Sequence, residues 1–293
     1  MTDPRPRRSV LYMPGSNARA LGKARTLAAD AVILDLEDSV APERKEDARR
    51  QVCAAIAAGG FGPRETIVRI NALDSPWGEA DLAAAAKAAP DAVLVPKVRG
   101  PGDLVAIGLR LRRHGAPEGT RVWAMIETPL AILEAKSIAG TALDGDTRLS
   151  CLVMGTNDLA KETKTRLVPG RAPMLPWLMG ALTAARAYGL DIIDGVYNTV
   201  SDAAGLAAEC EQARDLGFDG KSLIHPDQIP VANTVFAPAD GEIAAARAIL
   251  DAFERPENAG RAVISLDGRM VERLHAEMAE RTLALAAAIR GRA

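Results

Sequence analysis

Eight times along the chain a short apolar run gives way to a turn and then to a longer Ala/Leu-rich segment of helical period. The runs cover 9–13, 31–36, 66–70, 92–95, 122–126, 152–154, 191–193 and 222–224. The helical stretches lie near 17–29, 43–58, 79–89, 102–113, 130–139, 174–188, 202–216 and 241–254. Runs that are apolar at nearly every position suit strands covered on both faces, as parallel strands are. Eight such units in about 250 residues predict an α/β chain folded as a closed (β/α)8 TIM barrel. An open doubly wound sheet is the competitor. The stretch Met13-Pro14-Gly15-Ser16-Asn17 after the first run, however, lacks the GxGxxG spacing of its phosphate turn.

No Pro-, Gly- or Ser-rich linker divides the sequence. The barrel is expected over 1–257, and 258–293 is left as a C-terminal helical appendage: an extended piece at 261–266, then a helix from about 269 to 289. Such a piece caps its own barrel or completes a site of a neighbouring subunit.

Composition removes several functions. Lys and Arg number 36 against 38 Asp and Glu, and aromatic residues are 3% of the chain. A nucleic-acid binder would need an excess of clustered cations or stacking platforms, and neither is present. No apolar stretch reaches the ~20 residues of a membrane span. Arg5, Arg7 and Arg8 precede an apolar run, but Pro14-Gly15 ends it too early for a signal peptide. Cys53, Cys151 and Cys210 are scattered and form no CxxC pair, so a reducing, cytoplasmic setting is expected.

Active sites of such barrels lie at the C-terminal ends of the strands. There the sequence places Asp35, Glu37 and Asp38 after run two, Arg69 and Asn71 after run three, and Lys97 after run four. Glu127 follows run five; Gly155, Thr156, Asn157 and Asp158 follow run six; His225 follows run eight. Glu127 is a poor helix cap, and Pro129 already starts the next helix. With Asp158 from the adjacent strand it could bind a hard cation such as Mg2+, leaving water and substrate oxygens to complete the octahedron. The alternative pairs Glu127 with Lys97 or Arg69 and uses Asp158 as a cap. Arg69 could clamp a carboxylate or carbonyl, serve as counter-ion to Asp35 or Glu37, or do both. Lys97 could form a Schiff base if desolvated, although the acids around it should keep its pKa high. His225 could act as a base or play a structural part.

Ordered motifs along nearly the whole chain extend this reading. They are Arg8-Ser9-Val10-Leu11-Tyr12-Met13-Pro14-Gly15, Asp35-Leu36-Glu37-Asp38-Ser39-Val40 with Lys45 following, and Val68-Arg69-Ile70-Asn71. Val95-Pro96-Lys97-Val98, Ile126-Glu127-Thr128-Pro129, Gly155-Thr156-Asn157-Asp158-Leu159 and Gly220-Lys221-Ser222-Leu223-Ile224-His225-Pro226 complete the set. The chain resembles the citrate lyase beta-subunit-like family, the acyl-CoA lyase branch of the HpcH/HpaI aldolase superfamily, which includes malyl-CoA and citramalyl-CoA lyases.

That resemblance implies a magnesium enzyme, with Mn2+ as a substitute, assembled as a homotrimer or hexamer. Glu127 and Asp158 match its metal ligands and Arg69 its substrate-contacting arginine. Asp35, Glu37 and Asp38 match the acidic motif that orients Arg69 and metal-bound water. Arg8 is a candidate for holding CoA, and Lys97, Gly155, Thr156 and Asn157 for the substrate. The expected reaction is reversible carbon–carbon cleavage of a short β-hydroxyacyl-CoA to acetyl-CoA and a 2-oxo acid. One departure bears on it: where the lyases carry a catalytic aspartate two residues after a methionine, this chain has Glu272, and the proline that usually follows is missing from Glu272-Arg273-Leu274-His275. Two alternatives therefore stay open, a malyl-CoA-type thioesterase and a citrate lyase beta-like subunit acting on a carrier-bound acyl group.

Overall fold

A computed structural model of the chain describes residues 5–292. Eight parallel strands close on themselves in sequence order: β1 (Ser9–Pro14), β2 (Ala31–Asp35), β3 (Glu65–Arg69), β4 (Ala92–Val95), β5 (Arg121–Ile126), β6 (Leu149–Met154), β7 (Asp191–Asp194) and β8 (Gly220–Leu223). Pairing of Ser9 with Lys221 and of Leu11 with Leu223 shuts the ring. The closed barrel excludes the open sheet.

Alternation along the strands explains both the core and the site. Val10, Ala31, Ile33, Ile67, Ala92, Leu94, Trp123, Met125, Cys151, Val153 and Ile193 form one buried cluster inside the ring. Within a strand its members stand two residues apart, as side chains on one face of a strand must. One more step of two from Ile33, Ile67, Met125 and Val153 reaches Asp35, Arg69, Glu127 and Gly155. The interior is thus apolar in its middle layers and ionic where the strands end. At the opposite mouth Arg7 closes the barrel: its guanidinium pairs with Glu65 at 2.7 Å and lies 4.9 Å from the centroid of Trp123.

Local capping starts the helices at the rim. Asn17 accepts the Ala20 N–H at 3.0 Å, Thr128 accepts the Ala131 N–H at 3.0 Å with Pro129 next to it, and Asp202 accepts the Gly205 N–H at 2.9 Å. The stretch expected as one helix over 130–139 is two, Pro129–Leu133 and Ala135–Gly140, because the chain leaves helical geometry at Glu134.

By internal contacts the described chain forms two units, 7–233 and a second made of 234–292 with residues 5–6. The second unit contains the helix Asp240–Glu254, the antiparallel pair β9 (Val263–Leu266) and β10 (Arg269–Glu272), and the helix Arg273–Arg290. Phe253, Ile264, Val271 and Ala276 form its core. The helix expected from 269 therefore begins at 273. Asp267 (φ 50°) and Gly268 (φ 75°) make a two-residue turn of left-handed backbone, the geometry that joins antiparallel strands. No helix among the described residues is long and apolar enough to cross a membrane.

Candidate active site

Asp35 and Arg69 end neighbouring strands and are direct register partners. The guanidinium grips the carboxylate with two bonds, Nε to Oδ1 at 2.6 Å and Nη2 to Oδ2 at 2.7 Å. The third nitrogen, Nη1, lies 2.9 Å from Glu37 Oε2 and 3.4 Å from Asp38 Oδ2. Tyr12 stacks beneath, with its ring centroid 4.7 Å from the guanidinium carbon. Burial by itself would raise the Asp35 carboxyl, but Arg69 outweighs it and holds the group below its ordinary value. Glu37 goes the other way. Burial pushes it up to about 8; Arg69 opposes that, and the negative charges of Asp38, Glu127 and Asp35 add to it. Two acids, one ending β2 and the other just beyond it, are thus pushed toward opposite protonation states near neutral pH, a pattern that separates anchors from proton carriers.

Glu127 is fully buried. Its Oε1 accepts the backbone N–H of Lys97 at 2.7 Å, while Oε2 is buried and has no hydrogen-bond partner. Burial raises its pKa to about 6, against the pull of the Lys97 ammonium and N–H. Asp158 comes from the first turn of the helix Thr156–Thr163. The Lys97 ammonium bridges the two acids, 2.7 Å from Asp158 Oδ1 and 3.5 Å from Glu127 Oε1. Burial would lower Lys97, yet these carboxylates raise it, which favours the cation and works against the Schiff-base reading. It reaches them through a left-handed backbone (φ 54°), a strained geometry for a side chain of this size and one concentrated at functional sites.

Gly155 makes the pair possible. A methyl group there would lie against Cβ of Glu127 and 2.7 Å from its Oε2. Asn157 and Asn198 exchange side-chain amide bonds of 3.1 and 2.8 Å over the mouth. A cavity of about 320 Å³ opens beside these groups, walled by Tyr12, Asp35, Arg69, Met125, Thr156 and Asp158 among others.

These residues fit a hard divalent cation. A buried carboxylate oxygen without a partner and a second carboxylate beside it, both already facing positive charge, are the donor set such an ion needs. Among the described residues no three or more His, Cys, Asp or Glu side chains group as a metal cage, so water and substrate oxygens would complete the shell.

The structure therefore brings together Asp35, Glu37, Arg69, Lys97, Glu127, Gly155, Thr156, Asn157 and Asp158. Arg8 precedes β1, at the mouth opposite the site, and its fork is bound to Asp30 at 2.8 and 2.9 Å. Glu272 belongs to the second unit, where its N–H donates to His275 Nδ1 at 3.0 Å. His225 serves as a cap: its Nδ1 accepts the Asp227 N–H at 3.2 Å at the start of the turn Pro226–Gln228. The sequence reading missed the stacking of Tyr12 on Arg69, although alternation from Val10 already turns Tyr12 inward.

Comparison with known proteins gives the family. The profile of the HpcH/HpaI aldolase/citrate lyase family matches residues 8–226. A (3S)-malyl-CoA thioesterase of Cereibacter sphaeroides (strain KD131 / KCTC 12085) is 50% identical over 284 residues, 97% of this chain and 96% of that protein. The citrate lyase subunit beta of Escherichia coli (strain K12) is 37% identical over 273 residues, 92% of this chain and 89% of that one. Among solved structures, CitE from Mycobacterium tuberculosis in complex with magnesium, acetoacetate and coenzyme A superposes with a TM-score of 0.77 at 31% identity, covering 95% of this chain and 97% of that chain. On the profile match over 8–226 and the identity along nearly the whole chain, the protein belongs to the HpcH/HpaI aldolase/citrate lyase family.

Proposed function

We propose that the protein is a Mg2+-dependent enzyme of the cytoplasm, a homotrimer or hexamer, acting on a short β-hydroxyacyl-CoA of the malyl-CoA class with hydrolysis of the thioester as its net reaction. Sequence motifs alone put carbon–carbon cleavage first. The observation that moves hydrolysis ahead is the 50% identity, over 97% of this chain, to a (3S)-malyl-CoA thioesterase. Glu272 in place of the lyase aspartate agrees with a changed outcome at a shared site.

Held by Glu127 and Asp158, Mg2+ would supply Lewis-acid stabilisation for the oxygens of the acyl group. The remaining tasks fall to side chains. Arg69, fixed by Asp35, presents its cation to the charge that develops on the acyl oxygens. Water attacks the thioester carbonyl: a C–O bond forms, the C–S bond breaks, and the thiolate of CoA leaves. The proton released by water passes to a carboxylate, for which Glu272 is the proposed acceptor. Glu37, protonated near neutral pH, is the proposed donor to the thiolate.

A second reading, reversible cleavage to acetyl-CoA and glyoxylate, draws on the same acid pair and on the likeness to citrate lyase subunit beta. Product analysis separates them. Incubated with Mg2+ and (3S)-malyl-CoA, the protein is expected to release free CoA and malate; acetyl-CoA with glyoxylate would transfer the assignment to the lyase, and no turnover of malyl- or citramalyl-CoA would overturn both. Glu127→Gln should lower turnover by about 1000-fold or more with the fold intact by circular dichroism.

A further inference from the structure

The segment that carries Glu37 away from β2 is tied on two sides. Asp35 accepts the Glu37 N–H at 2.9 Å on one carboxylate oxygen and the Ser39 N–H at 3.1 Å on the other. The carbonyls are held from another element. Lys45, the first residue of the helix Lys45–Ala58, is 6% exposed and donates to Leu36 O at 2.9 Å, Glu37 O at 2.7 Å and Asn71 Oδ1 at 2.8 Å. An ammonium has three donors and no acceptor, so every hydrogen of this one is spent.

Its third partner is itself immobilised. Asn71 donates from Nδ2 to Leu36 O at 2.8 Å and to Asp81 Oδ2 at 2.6 Å, and from its backbone N–H to the same Asp81 oxygen at 3.0 Å. Arg49 closes the set with a 2.6 Å bond to Asp81 Oδ1. Two helices outside the barrel thereby reach through Lys45 and Asn71 to the two peptide groups flanking Glu37, beside the arginine clamp.

A methionine could fill this space without the cost of burying a charge. What the lysine adds is direction: two of its bonds end on the backbone that sets where the Glu37 carboxyl meets Arg69. We propose that Lys45 is a positioning residue of the active site, holding the carbonyls of Leu36 and Glu37 so that the Glu37 side chain stays against Arg69; the catalytic half of this inference rests on the function proposed above.

Lys45→Met tests it on the full-length protein, with Lys45→Gln as the second variant should the first not fold. Expected are a kcat about 100-fold below the parent, as for a group misplaced by about 1 Å, with KM for malyl-CoA and affinity for Mg2+ each within about twofold. Amide hydrogen exchange, read by mass spectrometry, should quicken at least about tenfold over 36–39 and stay unchanged in β5 and β6. Exchange unchanged over 36–39 would overturn the proposal, as would a kcat within about threefold of the parent. Failure of both variants to fold would overturn it too, by making the lysine structural. A parent protein that turns over neither ester sinks the functional reading instead, and exchange over 36–39 then decides the role of Lys45 alone.

Discussion

At Gly155 one missing carbon decides whether two acids can meet. The residue that follows β6 takes the inward position of its strand, and the neighbouring inward position on β5 leads to Glu127. Since a Cβ there would press on the Glu127 side chain, only glycine leaves the carboxylate its place. Gly155→Ala should destabilise the fold by about 1–3 kcal/mol, as overpacking of a tight interior does. Its larger effect should fall on the site, with affinity for Mg2+ reduced at least about tenfold by calorimetry, because displacing one carboxylate spoils the proposed two-ligand set. Undiminished Mg2+ binding would mean that Glu127 moves aside freely, against the packing seen here. Most of these residues were legible without coordinates, because period-two alternation projects past the end of each apolar run onto Asp35, Arg69 and Glu127. Arg8 lies away from them for a related reason. Its motif leads into β1, at the strand's start, and about 20 Å of strand separates it from the rim where chemistry occurs.

Between elements, buried ion pairs do the joining that sequence periodicity does not reveal. Asp194 at the end of β7 is fully buried and takes 2.8 Å bonds from Arg171 Nη1 and a 2.7 Å bond from Lys221 Nζ of β8. Glu209, on the helix Ala203–Leu216, receives the same lysine at 2.7 Å. Burial alone would raise the Asp194 carboxyl, but the two cations outweigh it and hold it below its ordinary value. Because the folded pKa lies below the unfolded one, this contribution to stability is complete above about pH 4 and is lost as the pH falls through the folded value. Asp194→Asn leaves Lys221 and Arg171 sharing Glu209, and should cost about 3 kcal/mol at pH 7 in urea unfolding. The variant should also lose less stability than the parent on going below pH 4. An acid limb as steep as the parent's would mean that another carboxylate sets it. No pattern in the chain announces this cluster or the Lys45–Asn71–Asp81 set, since each joins residues of several elements whose partners follow only from the closed barrel. The β9–β10 hairpin differs: Asp267-Gly268 is a turn signal in the sequence, but runs as short as 263–266 and 269–272 carry too few periods to tell strand from helix.

For the whole molecule, the question is whether Glu272, a carboxylate of the second unit, enters the proposed reaction, and from which copy of the chain. Glu272 sits where β10 passes into the helix Arg273–Arg290, its N–H fixed by His275, so the start of that helix is firm even without the usual proline. A closed ring of identical subunits repeats one contact around an axis, and each copy can then hand a residue to the next. Subunit mixing tests whether this happens. Glu127→Ala and Glu272→Ala are each expected to be inactive alone. If Glu272 serves a neighbouring copy, unfolding and refolding the two together should restore activity to roughly a quarter of the sites, those that keep both acids. If it serves its own barrel, every subunit of the mixture lacks one acid and no activity returns. A single variant that keeps parental turnover after Glu272→Ala would remove Glu272 from the reaction, and the proton released by the attacking water would have to go to a carboxylate of the barrel itself.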